Sequence, residues 1–148
     1  MLARLPDVFR CLSARDVHDV VIGGVAAIVH GVPRTTFDVD LLIDATPDNA
    51  ARLLAALQDA GIASAALTTA EGVLAHEITV FKDVLRIDVQ TRTPGVDFPS
   101  AWLHRLERQV DGVGYWIVSR EHLIAMKTAT GRPKDLEDVR VLSRPDGA

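Results

Sequence analysis

Apolar positions along the chain switch between a helical period and a period of two, and the switches lay out a series of short helices and strands. Leu5, Val8, Phe9 and Leu12 recur at helical spacing and predict an amphipathic helix from about Pro6 to Ala14. Val17 to Ile22 is a β-branched run stopping at Gly23-Gly24, the pattern of a buried strand that enters a tight turn. Val25 to His30 then predicts a short helix, ended by Gly31 and by Pro33. Phe37 to Ile43 alternates with a period of two. Asp38, Asp40 and Leu42 share one face of that strand, and Phe37, Val39, Leu41 and Ile43 share the other.

Thr46-Pro47 supplies a cap and a first-turn proline for the next helix, whose stripe of Leu53, Leu54 and Leu57 runs out at Gly61. The small residues from Ala63 to Ala70 carry no readable period. Glu77 to Phe81 and Val84 to Gln90 predict two strands of a hairpin turning at Lys82-Asp83. After a loop with Pro94, Gly95 and Pro99, a short helix is expected from Trp102 to Glu107, then a strand from Gly114 to Val118. Ser119 opens a helix to about Thr130, Gly131-Arg132-Pro133 breaks it, and Asp135 is expected to cap a last helix reaching Leu142. No repeat or linker divides the 148 residues, so a single domain is expected. A strand–helix–strand crossing followed by a hairpin makes the fold class α/β (α+β): a mixed sheet flanked by helices.

Composition narrows the class without choosing a function. A hydrophobic fraction of 48% and a charged fraction of 24% exclude a disordered chain. No apolar run approaches the roughly 20 residues that span a bilayer, so no membrane partner is expected. The first residues carry charges throughout and lack the apolar centre of a signal peptide. With Cys11 as the one cysteine, no internal disulfide forms, which agrees with a cytoplasmic setting. Net charge is −4, although Arg120 to Arg144 holds six basic residues against four acids. Such a mildly basic stretch suits either a phosphate or a solvated helix face.

Asp38 and Asp40 are the residues that most need a reason. At positions i and i+2 of a strand they point the same way, about 7 Å apart at the backbone. Two like charges on an otherwise apolar strand repel one another and resist burial. A hard divalent cation such as Mg²⁺ gives them a use, and it requires neither His nor Cys. Asp88 lies within Leu85-Arg86-Ile87-Asp88-Val89, another strand with apolar flanks. If the two strands are neighbours, three carboxylates converge, with room for one Mg²⁺ or for two about 4 Å apart, as in-line phosphoryl or nucleotidyl displacement uses. The structural alternative is that these acids are caps, surface pairs or partners of Arg34 and Arg86. Gly23-Gly24, between a strand and a helix, adds a turn whose backbone N–H groups can approach a phosphate. Dinucleotide, P-loop, G-x-S-x-G and H-E-x-x-H patterns are all absent.

Val21-Ile22-Gly23-Gly24, then Asp38-Val39-Asp40-Leu41, and later Ile87-Asp88-Val89 together resemble the signature of the DNA polymerase β-like nucleotidyltransferase superfamily. Arg34 to Asp40 is similar to the small prokaryotic branch that includes AbiEii-type toxins. So are Leu123-Ile124-Ala125-Met126-Lys127 and Gly131 to Asp138. The resemblance covers about Val20 to Leu142. It implies a nucleoside triphosphate and Mg²⁺ on the face that carries the acids, with Asp38, Asp40 and Asp88 as metal ligands and catalytic residues. By the same analogy Gly23 and Gly24 approach the triphosphate, Lys127 neutralises phosphate charge, Arg34 binds phosphate or braces the acids, and Asp135 orients Lys127 or touches the nucleotide; the alternative for Lys127 is a solvated helix lysine. Gly24 departs from the serine that many members carry there. The chain also shows no separate acceptor-binding domain, which suggests an antitoxin partner or a homo-oligomer.

The expected function is therefore transfer of a nucleoside monophosphate to an acceptor hydroxyl on RNA (a tRNA end among them), protein or a small molecule. The toxin of a toxin–antitoxin pair is one setting for it. The alternative is a non-catalytic nucleotide-binding or partner-binding module with the same fold. The five histidines are scattered without ligand spacing and receive no role.

Overall fold

The computed structural model describes residues 4–145. Helix α1 (Leu5–Ala14) buries Leu5, Val8, Phe9 and Leu12, the stripe expected from its spacing. Strand β1 (Asp19–Ile22) runs directly into helix α2 (Gly23–Val29), so the double glycine forms the first turn of the helix and not a loop ahead of it. Strand β2 (Asp38–Ile43) carries the paired acids. Helix α3 (Pro47–Asp59) begins where the Thr46 side chain accepts from the Asn49 N–H, with Pro47 in the first turn. The stretch without a readable period becomes a 3₁₀ turn (Ala63–Leu67) and the short helix α4 (Ala70–Leu74).

Strands β3 (Ile78–Lys82) and β4 (Arg86–Gln90) form the expected antiparallel hairpin. Its turn is pinned by Asp83, which accepts from both the backbone N–H and the hydroxyl of Ser64. The helix expected from Trp102 to Glu107 is corrected at both ends. Helix α5 covers Phe98–Leu103, and the residues after it become strand β5 (Leu106–Val110), antiparallel to β6 (Val113–Ile117). The reason lies at Asp111-Gly112, where both residues have positive φ (49° and 76°), as a two-residue hairpin turn requires. Helix α6 (Arg120–Thr130) is capped by Ser119 and stopped by Gly131 in the left-handed region, φ 64°. Helix α7 (Pro133–Leu142) starts three residues earlier than a cap at Asp135 would place it. Asp135 therefore lies inside its first turn and does not cap it.

Among the described residues, six strands form one mixed sheet in the order β3-β4-β2-β1-β6-β5. The central pairs set the site. Strands β2 and β4 are parallel, with Asp38 beside Arg86 and Asp40 beside Asp88. Strands β1 and β2 are antiparallel, with Ile22 beside Asp40. Side chains alternate along each strand, so Val39, Leu41, Ile43, Ile87, Val89 and Val21 share the opposite face. All six are fully buried. The core thus lies behind the acids, and α1 packs there, with Phe9 stacked on Tyr115 at 4.4 Å between ring centroids. This is the mixed α/β architecture the pattern predicted.

Candidate active site

Asp40 lies in a row that crosses the sheet through Val80, Asp88, Asp40 and Ile22, one residue from each of four adjacent strands. Asp38 stands one pleat along on the same face. The condition on which Asp88 depended, that its strand neighbour β2, is met.

Asp40 is also held from the α2 side. The Gly24 N–H donates to its carboxylate. Gly23 has φ 67°, and a Cβ there would lie 2.2 Å from Asp40 Oδ2. Glycine is therefore required at residue 23 both by its backbone conformation and by the carboxylate packed against it. Gly24 is constrained less, since an added Cβ would meet Thr36 Oγ1 at 3.2 Å. Burial pushes the Asp40 carboxyl up to about 6, and the charges of Asp88 and Asp38 push in the same direction.

Arg86 shares this face and partly neutralises it. Its guanidinium forks onto Asp88, with Nε donating to Oδ1 at 2.9 Å and Nη2 to Oδ2 at 3.3 Å. The same Nε is 3.9 Å from Asp38 Oδ2. The structural alternative is thus correct for Asp88 as far as Arg86 goes. It does not extend to Arg34, whose guanidinium pairs with Asp138 on α7 and not with the three acids.

Lys127 is the second half of the site. Its side chain is only 10% exposed, which removes the alternative of a solvated helix lysine. Lys127 Nζ lies 2.8 Å from Asp138 Oδ2 and 3.7 Å from Asp135 Oδ1, and its charge acts on Asp40. Asp138 is fully buried and joins Lys127 to Arg34. Asp135 accepts from Thr130 Oγ1 at 2.8 Å and from Arg132 Nε at 2.7 Å. Burial works to raise the Asp135 carboxyl, but these hydrogen bonds and the charges of Arg132 and Lys127 hold it below the usual range. Sequence reasoning named Asp135 as the partner of Lys127 and missed Asp138, which is nearer. The available signal was helical spacing, since Asp135 and Asp138 are three apart and share a helix face.

Chemically, the site sets three carboxylates against a buried ammonium across the end of the sheet. The donor set fits a hard divalent cation: the groups are all oxygen, and Asp40 sits in an excess of negative charge that its own cations only partly answer. As they stand, with Arg86 forked onto Asp88, no three His, Cys, Asp or Glu side chains among the described residues gather closely enough to hold one ion.

A mixed sheet carrying acids on adjacent central strands, with a glycine turn closing over one of them, is compatible with the nucleotidyltransferase fold. The chain belongs to the family described as nucleotidyltransferase of unknown function (DUF6036), whose profile matches residues 3–143. No curated protein matches the sequence. Among the described residues, no helix is long and apolar enough to cross a membrane.

Proposed function

We propose that the chain is a Mg²⁺-dependent nucleotidyltransferase that moves a nucleoside monophosphate from a nucleoside triphosphate to an acceptor hydroxyl, with release of pyrophosphate. The observation that carries this reading is the register that puts Asp40 beside Asp88, with Asp38 on the same face and Lys127 opposite. Asp38, Asp40 and Asp88 would hold Mg²⁺, in one or two sites, once the Arg86 guanidinium releases Asp88. The Arg86 side chain is 42% exposed and has room to move. Bound Mg²⁺ supplies charge stabilisation to the attacking and leaving oxygens.

The chain's own groups do the rest. Gly23 and Gly24 bring backbone close to the triphosphate, and Lys127 offsets phosphate charge from a position fixed by Asp138 and Asp135. Arg34, tied to Asp138, maintains that position. Asp88 takes the proton of the acceptor hydroxyl as the new O–P bond forms and the bond to the leaving pyrophosphate breaks.

The acceptor is RNA (a tRNA end among the candidates), a protein side chain or a small molecule. The AbiEii-type branch adds a toxin–antitoxin setting in the cytoplasm, with an antitoxin or a second copy completing the acceptor site. Labelled nucleoside triphosphate, Mg²⁺ and cell extract should give a labelled acceptor with the native chain and none with Asp38→Ala/Asp40→Ala. Equal labelling by the double variant sinks the proposal.

One observation favours a second reading. The fork of Arg86 on Asp88 leaves no ready-made three-acid pocket, as in a module that binds nucleotide without turnover. Pyrophosphate release separates the two readings, because both allow nucleotide binding.

A further inference from the structure

Asp19 opens β1 on the face of the sheet opposite Asp40, since it pairs with Ile43 while Ile22 pairs with Asp40. It is only 5% exposed, and among the described residues no hydrogen bond or ion pair reaches its carboxyl. A buried acid without a partner is unfavourable for folding, and an apolar residue would fill the position better. What Asp19 faces is a cavity of about 750 Å³, walled also by Phe9, Tyr115, Trp102 and Trp116. That size lies within the range of small-molecule sites.

The two cations at the cavity are engaged elsewhere. Arg10 Nη1 donates to Asp7 Oδ1 at 2.8 Å. The Arg105 guanidinium lies 3.7 Å over the Trp102 ring and 4.2 Å over the Trp116 ring, and its Nη1 donates to the Trp102 carbonyl at 2.7 Å. Asp16 and Glu107 add acids to the same walls. Burial alone raises the Asp19 carboxyl, with no charged neighbour contributing.

We propose that this cavity binds a small organic cation, an amine with an apolar or aromatic body whose ammonium pairs with Asp19. The aromatic and aliphatic walls take the body of the ligand, and the acid fixes its charged end. Asp19 itself is on the other face of the sheet from the acids of the transferase reading, and the proposal stands independently of that reading.

The chain's two tryptophans both line the cavity, so their intrinsic fluorescence reports occupancy. The experiment titrates benzylamine, and separately the neutral benzyl alcohol, into the full chain at about pH 8, where the amine is largely charged and an aspartate ionised. The expected result is saturable binding of benzylamine at least about tenfold tighter than of benzyl alcohol. Asp19→Asn, similar in size, should remove that preference while benzyl alcohol binds as before. The amine-to-alcohol comparison is made on the native chain and needs no variant to fold. Equal affinities for the two probes overturn the proposal. So does a folded Asp19→Asn that keeps the preference, or no saturable signal up to about 10 mM amine.

Discussion

Glycines 23 and 24 look interchangeable in sequence, yet their surroundings separate them. At Gly23 the backbone has φ 67° and Asp40 Oδ2 fills the space a side chain needs. Gly23→Ala should therefore cost about 2 kcal/mol or more, by backbone strain plus displacement of the carboxylate. Gly24→Ala meets only Thr36 and should stay within about 1 kcal/mol of the parent, so urea denaturation of the two variants should rank them clearly. Asp19 makes a second residue-scale case. Its folded carboxyl keeps a proton up to about pH 7, whereas the ordinary value is 3.8. The folded state thus holds a proton that the unfolded chain has released. The contribution of Asp19 to stability is fully present below about pH 4 and is lost as the pH rises through 7. Asp19→Asn should therefore be more stable than the parent by about 2–4 kcal/mol at pH 8, with the difference closing toward pH 4. Denaturation midpoints at the two pH values check it.

At the scale of elements, the contact between α6 and α7 holds the cationic half of the site. Gly131 turns the chain at the end of α6, and Asp138 on α7 then receives both Lys127 and Arg34. Asp138→Ala leaves two cations facing a buried gap and should destabilise the fold by about 3–5 kcal/mol. An unfolding midpoint unchanged from the parent would show that Asp138 is not what joins the helices. The same scale shows where sequence legibility ended. Amphipathic periods placed α1 and α3 closely, because one buried stripe is a local property of each helix. Of β5, Leu106 and Glu107 fall in the expected helix and Arg108–Val110 in no expected element, because a mostly exposed strand carries no clear apolar alternation. Asp111-Gly112, a strong hairpin signal, was the available clue to β5.

Across the whole molecule, the proposed site joins groups from β2, β4, α2, α6 and α7, so ligand binding should stabilise the fold as a unit. At about a hundred times its Kd, a nucleoside triphosphate with Mg²⁺ adds about 2.7 kcal/mol. For a chain of this size that raises Tm by about 5–10 °C. Differential scanning fluorimetry should show the shift only with Mg²⁺ present, and it should vanish in Asp38→Asn/Asp40→Asn. A shift of equal size without the metal would place the nucleotide away from the acids.

What the sequence determined by itself was the chemistry on each element. Period-two alternation put Asp38 and Asp40 on one face, the double glycine marked the end of β1, and Lys127 with Asp135 marked the last two helices. These are short-range consequences of side-chain geometry, so they can be read without knowing what packs where. Tertiary structure decided the rest, through strand order, register and burial. Only the parallel pairing of β2 with β4 brings Asp88 beside Asp40. Only the packing of α7 on α6 replaces Asp135 with Asp138 as the nearest partner of Lys127. Only burial leaves Asp19 on the far face without a partner among the described residues. Each depends on residues far apart in the chain, whose distance in space no local pattern encodes.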